Sequence, residues 1–201
     1  MPALYQCRTS LREVAAVVAA TAPRDATWSA ELWPGRHGLI ARNDDGGRVI
    51  ETMEFGIASA ASGSGMQHQF WFRELWPAQS WLLEPPHRCL VIADRFAVPE
   101  GPTGHRTRSW IGHEDDMVFA WAGIWYDAAG KPCYAGLLVK GDEGAFAGHS
   151  VPAVLDRSDQ DDWLSADIRS ASRLVRQSPS PSGFYIEATE EPWVSNRVIG
   201  T

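Results

Sequence analysis

The sequence has few cysteines, no long apolar run and a deficit of positive charge, and each shortage excludes a class of protein. Its three cysteines, Cys7, Cys89 and Cys133, stand far apart with no Cys-x-x-Cys spacing, so we predict reduced thiols rather than disulfides or a zinc site. The apolar stretch 14–20 is far shorter than the ~20 residues of a membrane span. With no secretion signal either, we expect a cytoplasmic protein that does not enter the membrane.

The charge balance is acidic and weakens the simplest case for a nucleic-acid-binding protein. There are 18 Lys and Arg against 25 Asp and Glu, which gives a net charge of -7. Affinity for phosphate groups depends largely on clustered cations. Two local basic strips remain as candidates for binding an anion, the segment 105–108 and the group Arg169, Arg173 and Arg176.

The pattern of apolar residues predicts a β-rich α+β fold. A chain of 201 residues can bury roughly 70% of its unfolded surface, so we predict one domain over 1–201 with no structural metal or cofactor. Residues 10–20 have the period of a capped amphipathic helix. Elsewhere the chain alternates short apolar runs with turn residues: a hairpin over 38–57, a buried strand over 88–93 and a second hairpin from 117–126 and 133–140. We expect a closed or half-closed barrel with a few peripheral helices.

Common catalytic motifs are missing from the sequence. It contains no dinucleotide or phosphate-binding glycine loop, no zinc-protease helix motif and no serine-hydrolase elbow. The paired aspartates at 44–45, 115–116 and 161–162 fall in predicted turns or helix starts, where solvated carboxylates are usual. The ten tryptophans are more informative. Trp33, Trp76 and Trp193 each adjoin a proline, which favours a surface position where an indole could stack on an unpaired base.

Five segments resemble strings of the SOS-response-associated peptidase (SRAP) family, in the same order. The segment 88–96, R-C-L-V-I-A-D-R-F, is similar to the family's R-C-L-V-P-A-D-G-F. The others are 33–35 (W-P-G), 54–57 (E-F-G-I), 117–125 (M-V-F-A-W-A-G-I-W) and 149–155 (H-S-V-P-A-V-L), the last followed at a similar distance by Trp163-Leu164. The resemblance covers nearly the whole chain and implies the family's β-rich fold.

The resemblance also implies a function in the DNA-damage (SOS) response. SRAP proteins recognise abasic sites in single-stranded DNA. They form a covalent crosslink through a cysteine directly after the initiator methionine, whose thiol and α-amine capture the sugar aldehyde as a thiazolidine. An Asn, a Glu and a His assist, and the family's peptidase activity removes the initiator methionine.

This sequence departs from the family at every one of those residues. Pro2 stands where the family has its cysteine. The positions of the family's Glu and His fall on Val98 and Gly148. The family's Asn maps near 68–70, where this chain has no Asn. The only part of that motif with a counterpart here is the Arg-Glu pair at 73–74. Thiazolidine crosslinking and the associated self-processing are therefore excluded.

Three interpretations remain open. In the first, the protein is a degenerate SRAP-like module that keeps the scaffold and some binding of DNA or protein without catalysis. In the second, removal of Met1 leaves the secondary amine of Pro2, which condenses with an aldehyde to form an iminium. Glu100 lies two residues from Val98, the position of the family's Glu, and His149 lies one residue from Gly148, the position of its His. In this interpretation they would transfer the protons of the condensation. In the third, the remodelled groove binds a partner protein or a small ligand.

The candidate residues follow from these interpretations. We assign catalytic roles to Pro2, Glu100 and His149 in the iminium hypothesis. The candidate partners are single-stranded DNA and a protein. For nucleic-acid contacts we predict Trp33, His68, Trp71, Arg73, Trp76, Arg106 and Arg108.

Overall fold

Strands form most of the regular structure. The computed structural model describes residues 4–58, 66–114, 118–176 and 182–193. The strands are β1 (Leu4–Gln6), β2 (Glu31–Leu32), β3 (His37–Asp44), β4 (Gly47–Phe55), β5 (Ile57–Ala58), β6 (Met66–Gln67), β7 (Gln69–Trp71), β8 (Arg88–Ala93), β9 (Arg95–Glu100), β10 (Thr107–His113), β11 (Phe119–Asp127), β12 (Pro132–Lys140), β13 (Ser150–Pro152), β14 (Val154–Leu155) and β15 (Phe184–Pro192). The α-helices are α1 (Leu11–Val17), α2 (Gln160–Ser165) and α3 (Ile168–Leu174), and short 3-10 helices lie at Phe72–Leu75, Ser80–Leu83, Pro85–His87, Gly144–Phe146 and Arg157–Asp159.

Five strands close into a ring and confirm the expected barrel. Around the ring, β12 pairs with β4, β4 with β3, β3 with β8, β8 with β11, and β11 again with β12. All of these pairs are antiparallel except β4 with β12. Both predicted hairpins are present as β3–β4 and β11–β12. Every residue of β8 is buried, which explains why this strand is a continuous apolar run instead of an alternating one.

A second sheet, in the order β2-β1-β9-β10-β15, packs against the barrel. Its strands β9 and β10 were not predicted, because β9 carries Arg95, Pro99 and Glu100 and resembles a loop in sequence. Within the described residues β1 covers β9 only as far as Ala97, so Pro99 pairs with β10 alone. A proline, which has no N–H to donate, is tolerated at such an unpaired edge.

Aromatic side chains fill the space between the two sheets. The Tyr5 side chain from β1 packs edge to face on Phe55, with ring centres 5.3 Å apart, and its hydroxyl hydrogen-bonds the hydroxyl of Tyr134 on β12. Burial raises the pKa of both tyrosines well above the usual value, so both stay protonated. A Cβ atom on Gly136 would lie 1.8 Å from the indole of Trp121, so the ring requires glycine there.

Helix α1 begins as predicted and ends earlier. The Ser10 hydroxyl accepts a hydrogen bond from the Glu13 backbone N–H, and the Glu13 carboxylate accepts one from the Ser10 backbone, which completes a capping box. The helix ends at Val17 rather than at residue 20, and Ala19 takes a left-handed conformation with φ of 49°. Among the described residues, no helix is both long and apolar enough to cross a membrane.

Candidate functional site

A groove of about 670 Å³ lies between the segment Trp71–Trp76, the end of β12 and helix α3. Its floor is apolar and includes Leu138 and Val175. Its aromatic and cationic lining residues are Trp71, Phe72, Trp76, Arg73, Lys140, Arg169 and Arg176. The groove therefore joins Trp71, Arg73 and Trp76, which the sequence analysis assigned to nucleic-acid contacts, with two arginines of the second basic strip.

Strand pairing and helix period together place these side chains. Strand β7 runs parallel to β12 in a register that puts Trp71 beside Leu138. On the facing wall, the Asp167 side chain caps α3 by accepting from the backbone N–H groups of Arg169 and Ser170. Arg169 and Ser172 lie three residues apart on α3, a spacing that puts them on one face of the helix, and Arg176 lines the same groove two residues after the helix ends.

The charge of the groove is opposite to that of the whole chain. Its described lining includes four cationic side chains and no carboxylate, in a protein with a net charge of -7. The Lys140 ammonium lies 4.0 Å from the Asp142 carboxylate at the exposed rim, and a surface pair of this kind is worth little. The Arg73 guanidinium lies 5.5 Å from the centre of the Trp71 ring, and that of Arg176 lies 5.4 Å from Phe72.

The indole of Trp76 is the most accessible aromatic surface in the groove. Trp76 is 58% exposed. Among the other tryptophans of the described chain, Trp81 is the exposed one, at 46%, and it does not line the groove. An indole left this open to water retains a flat apolar face on which another ring can stack.

A buried arginine connects the two walls of the groove. The Arg88 side chain donates from Nε to the Leu83 carbonyl at 2.6 Å and from Nη1 to the carbonyls of Trp163 and Ala166, each at 2.8 Å. Leu83 ends the 3-10 helix that follows the Trp71–Trp76 wall, and Ala166 immediately precedes the cap of α3. Burial lowers the pKa of the Arg88 guanidinium from its ordinary value.

The structure brings Glu100 and His149 together at one end of β9. His149 Nε2 lies 3.3 Å from Glu100 Oε1. Glu100 stands two residues beyond Val98 on the same strand, and side chains two apart share a face, so the carboxylate lies on the side of β9 that Val98 occupies. The backbone N–H of Gly141, one residue after Lys140, donates to the His149 carbonyl at 2.9 Å.

Pro2, the third member of the predicted catalytic set, lies outside the described residues. Its role in the iminium hypothesis therefore stays a prediction, as do the catalytic roles of Glu100 and His149. The nearest described strand residue, Leu4, pairs with Ala97 of β9, three residues before Glu100.

Other predicted nucleic-acid contacts lie away from the groove. The Arg108 side chain is buried, and its Nη1 lies 3.3 Å from a Glu31 oxygen and 3.2 Å from a Glu191 oxygen. Its guanidinium lies 5.4 Å from the ring centre of Trp33, whose Nε1 donates to Glu31. We interpret this cluster as a structural connection between strands β2, β10 and β15, because its cation is already paired.

Arg106 and His68 also stand apart from the groove lining. Arg106 is exposed, and its Nη2 lies 3.5 Å from the Thr103 hydroxyl. The His68 imidazole packs edge to face against Phe55, with ring centres 5.7 Å apart. Neither residue contributes to the cationic and aromatic surface described above.

Lys140 is the cationic groove residue that sequence reasoning missed. It ends a predicted strand, and nothing local distinguishes it from an ordinary exposed lysine. Only the pairing of β12 with β7 reveals its place in the groove. The helical spacing of Arg169 and Arg176 was a usable signal, but it could not show which face of the protein α3 covers.

Several solved structures share this fold. A protein from Bordetella bronchiseptica superposes with a TM-score of 0.75 at 19% identity, covering 93% of this chain and 99% of its own. A phage-related protein from the same organism gives 0.75 at 15% identity, with 93% of each chain covered. A protein from Bacteroides thetaiotaomicron gives 0.74 at 13% identity, with 92% and 91% covered. Likenesses at these identities establish the fold alone.

No protein-family model and no curated protein matches the sequence. The described ranges also contain no group of three or more His, Cys, Asp or Glu side chains placed to hold a metal ion.

Removing the Arg88 guanidinium should loosen both walls of the groove. Arg88→Met keeps the length of the side chain but leaves two buried carbonyls and one part-buried carbonyl without this donor, so we expect the free energy of unfolding to fall by about 3 kcal/mol. Urea denaturation followed by tryptophan fluorescence measures this change. Arg42→Met is the matched control. The Arg42–Glu51 pair is part-exposed, and its loss should cost about 1 kcal/mol or less. Equal losses in the two variants would contradict the role of Arg88.

Proposed function

We propose that this protein binds single-stranded DNA in the groove between the Trp71–Trp76 segment and α3. In this proposal it is a SRAP-like protein of the DNA-damage response, directed to abasic sites, that lacks the family's cysteine chemistry. The observation that carries the proposal is the concentration of four cations and three aromatic rings, without a carboxylate in the described lining, on an acidic protein. The resemblance of five ordered segments to the SRAP family supports it.

Each part of the groove matches one part of a single strand. Phosphate groups would meet Arg169 and Arg176 along the α3 wall, where guanidinium groups can donate paired hydrogen bonds. Bases would stack on the opposite wall, where Trp76 presents its exposed ring. In a duplex the base faces are stacked on one another, so this arrangement favours unpaired DNA.

Trp76 should supply much of the affinity. Trp76→Ala is expected to weaken binding of a fluorescent oligothymidylate by about 5- to 150-fold, because stacking of one base on an aromatic ring is worth about 1–3 kcal/mol. Fluorescence anisotropy measures the dissociation constant.

Trp81→Ala is the matched control for Trp76→Ala. It removes the other exposed tryptophan, which lies outside the groove, and should leave DNA affinity within about twofold of the unmodified protein. If both variants bind like the unmodified protein, the groove is not the DNA site.

The dependence of binding on salt tests the cationic wall. Each phosphate neutralised on single-stranded DNA contributes about -0.7 to the slope of log affinity against log salt, so four contacts predict a slope of about -3. Arg169→Gln should reduce the slope by about 0.7, whereas Arg12→Gln, on the exposed side of α1, should not. Absent or salt-insensitive DNA binding would instead favour the remaining interpretation, a groove for a partner protein or an apolar ligand.

A second candidate function is covalent capture of an abasic-site aldehyde by Pro2. The contact between Glu100 and His149 favours it, because an acid and an imidazole within 3.3 Å can relay protons. After removal of Met1, the Pro2 nitrogen would attack the aldehyde carbon to give a carbinolamine. Loss of water would then give the iminium, with His149 donating the proton that leaves with the hydroxyl group.

Borohydride trapping tests the capture hypothesis. Single-stranded DNA with one abasic site should give a stable adduct on the N-terminal peptide, since hydride reduces the iminium to a tertiary amine. His149→Gln should slow trapping at least tenfold and leave the affinity for unmodified single-stranded DNA unchanged. Intact-mass analysis reports whether Met1 is removed. Retention of Met1, or the absence of an adduct while DNA still binds, would contradict this candidate and leave the binding proposal standing.

A further inference from the structure

The strand β15 presents a long open edge of the second sheet. It pairs with β10 on one side, and within the described ranges no strand pairs with its other side. All of its residues are exposed except Phe184 and Thr189, which are half-buried. Alternate backbone N–H and C=O groups of an edge strand point away from the sheet, so β15 offers a row of groups ready to pair with another strand.

Apolar side chains accompany this open backbone. Tyr185 is 38% exposed and Ile186 47% exposed, and they are two of the four large hydrophobic residues that are exposed in the described chain. The other two are Trp76, which lines the groove, and Trp81, which does not. The edge of β15 therefore has unpaired backbone and exposed apolar surface at the same place, a combination typical of pairing surfaces.

Two of the three carboxylates on β15 contact an arginine of the same chain, and Arg108 is shared between Glu191 and Glu31. Acidic residues on an edge strand ordinarily discourage self-pairing. Here the Arg95 Nη1 donates to Glu187 at 3.0 Å, and the Arg108 Nη1 lies 3.2 Å from Glu191. Glu190 is the remaining carboxylate of the strand and has no ion-pair partner among the described residues.

We propose that two copies of this chain pair antiparallel along β15, in a register centred on Ala188, to form one continuous sheet. This register places Ile186 opposite Glu190 of the partner and Tyr185 opposite Glu191. Glu187 then faces Thr189, so no carboxylate directly opposes another. Each of the nine residues lies opposite a residue of the partner, Pro192 contributes no N–H, and the aliphatic part of each Glu190 side chain covers the partner's Ile186.

The position of Ile186 opposite Glu190 provides a charge test with a matched pair of variants. Ile186→Glu places two carboxylates opposite each other at both symmetric positions, and we expect the dissociation constant of the dimer to rise about tenfold. Ile186→Lys is an equally polar change at the same exposed residue, but it places an ammonium opposite each carboxylate. We therefore expect dimerisation at least as strong as in the unmodified protein.

Sedimentation velocity over the full range of soluble concentrations measures the association. The unmodified protein should approach the mass of two chains, and amide exchange along β15 should slow as the dimer forms. Circular dichroism confirms that each variant is folded. A protein that stays monomeric throughout would overturn the proposal. So would a dimer that responds equally to Ile186→Glu and Ile186→Lys, because it would use another surface. Either result is independent of DNA binding in the groove.

Discussion

The hydrogen bonds of one buried guanidinium support much of the architecture around the groove. Arg88 is a charged residue at the start of an otherwise apolar central strand, and it donates to carbonyls at the ends of Ser80–Leu83 and α2. A charge in this position is costly to bury unless its donors are used. The three hydrogen bonds from Nε and Nη1 to backbone carbonyls offset part of this cost, and Nη2 has no hydrogen-bond partner among the described residues. The groove therefore depends on a residue that does not line it.

The groove shows how an acidic protein can still offer a site for a polyanion. Net charge describes the average over the whole surface. The electrostatic field inside a cleft is set by the charges that line the cleft, and the low-dielectric walls focus that field. Arg169 and Arg176 lie on one wall and Arg73 on the other, and carboxylates elsewhere on the chain are screened over about 10 Å at ordinary ionic strength. The acidic composition argues against broad, unspecific binding to nucleic acid and leaves a local site open.

The barrel and the Glu100–His149 pair illustrate a separation between scaffold and chemistry. Five paired strands and the Tyr5–Tyr134 contact maintain the fold, whereas the Glu100–His149 contact adds a polar pair at the end of β9. Val98 and Glu100 lie two residues apart on β9 and share a face, so one side of the strand carries both a buried apolar side chain and the carboxylate that contacts His149. A carboxylate one residue earlier or later would lie on the opposite face.

The sequence alone determined the elements whose signals are local. The capping box of Ser10 and Glu13, the buried run of β8 and the two hairpins are each encoded by neighbouring residues, and the β-rich barrel followed from them. Tertiary structure decided where the candidate site lies. The groove draws on segments near residues 71–76, 140 and 169–176, and no local pattern encodes their meeting. Strands β9 and β10 also escaped prediction, because β9 has a composition typical of loops and the two strands are stabilised by distant β1 and β15 as well as by each other.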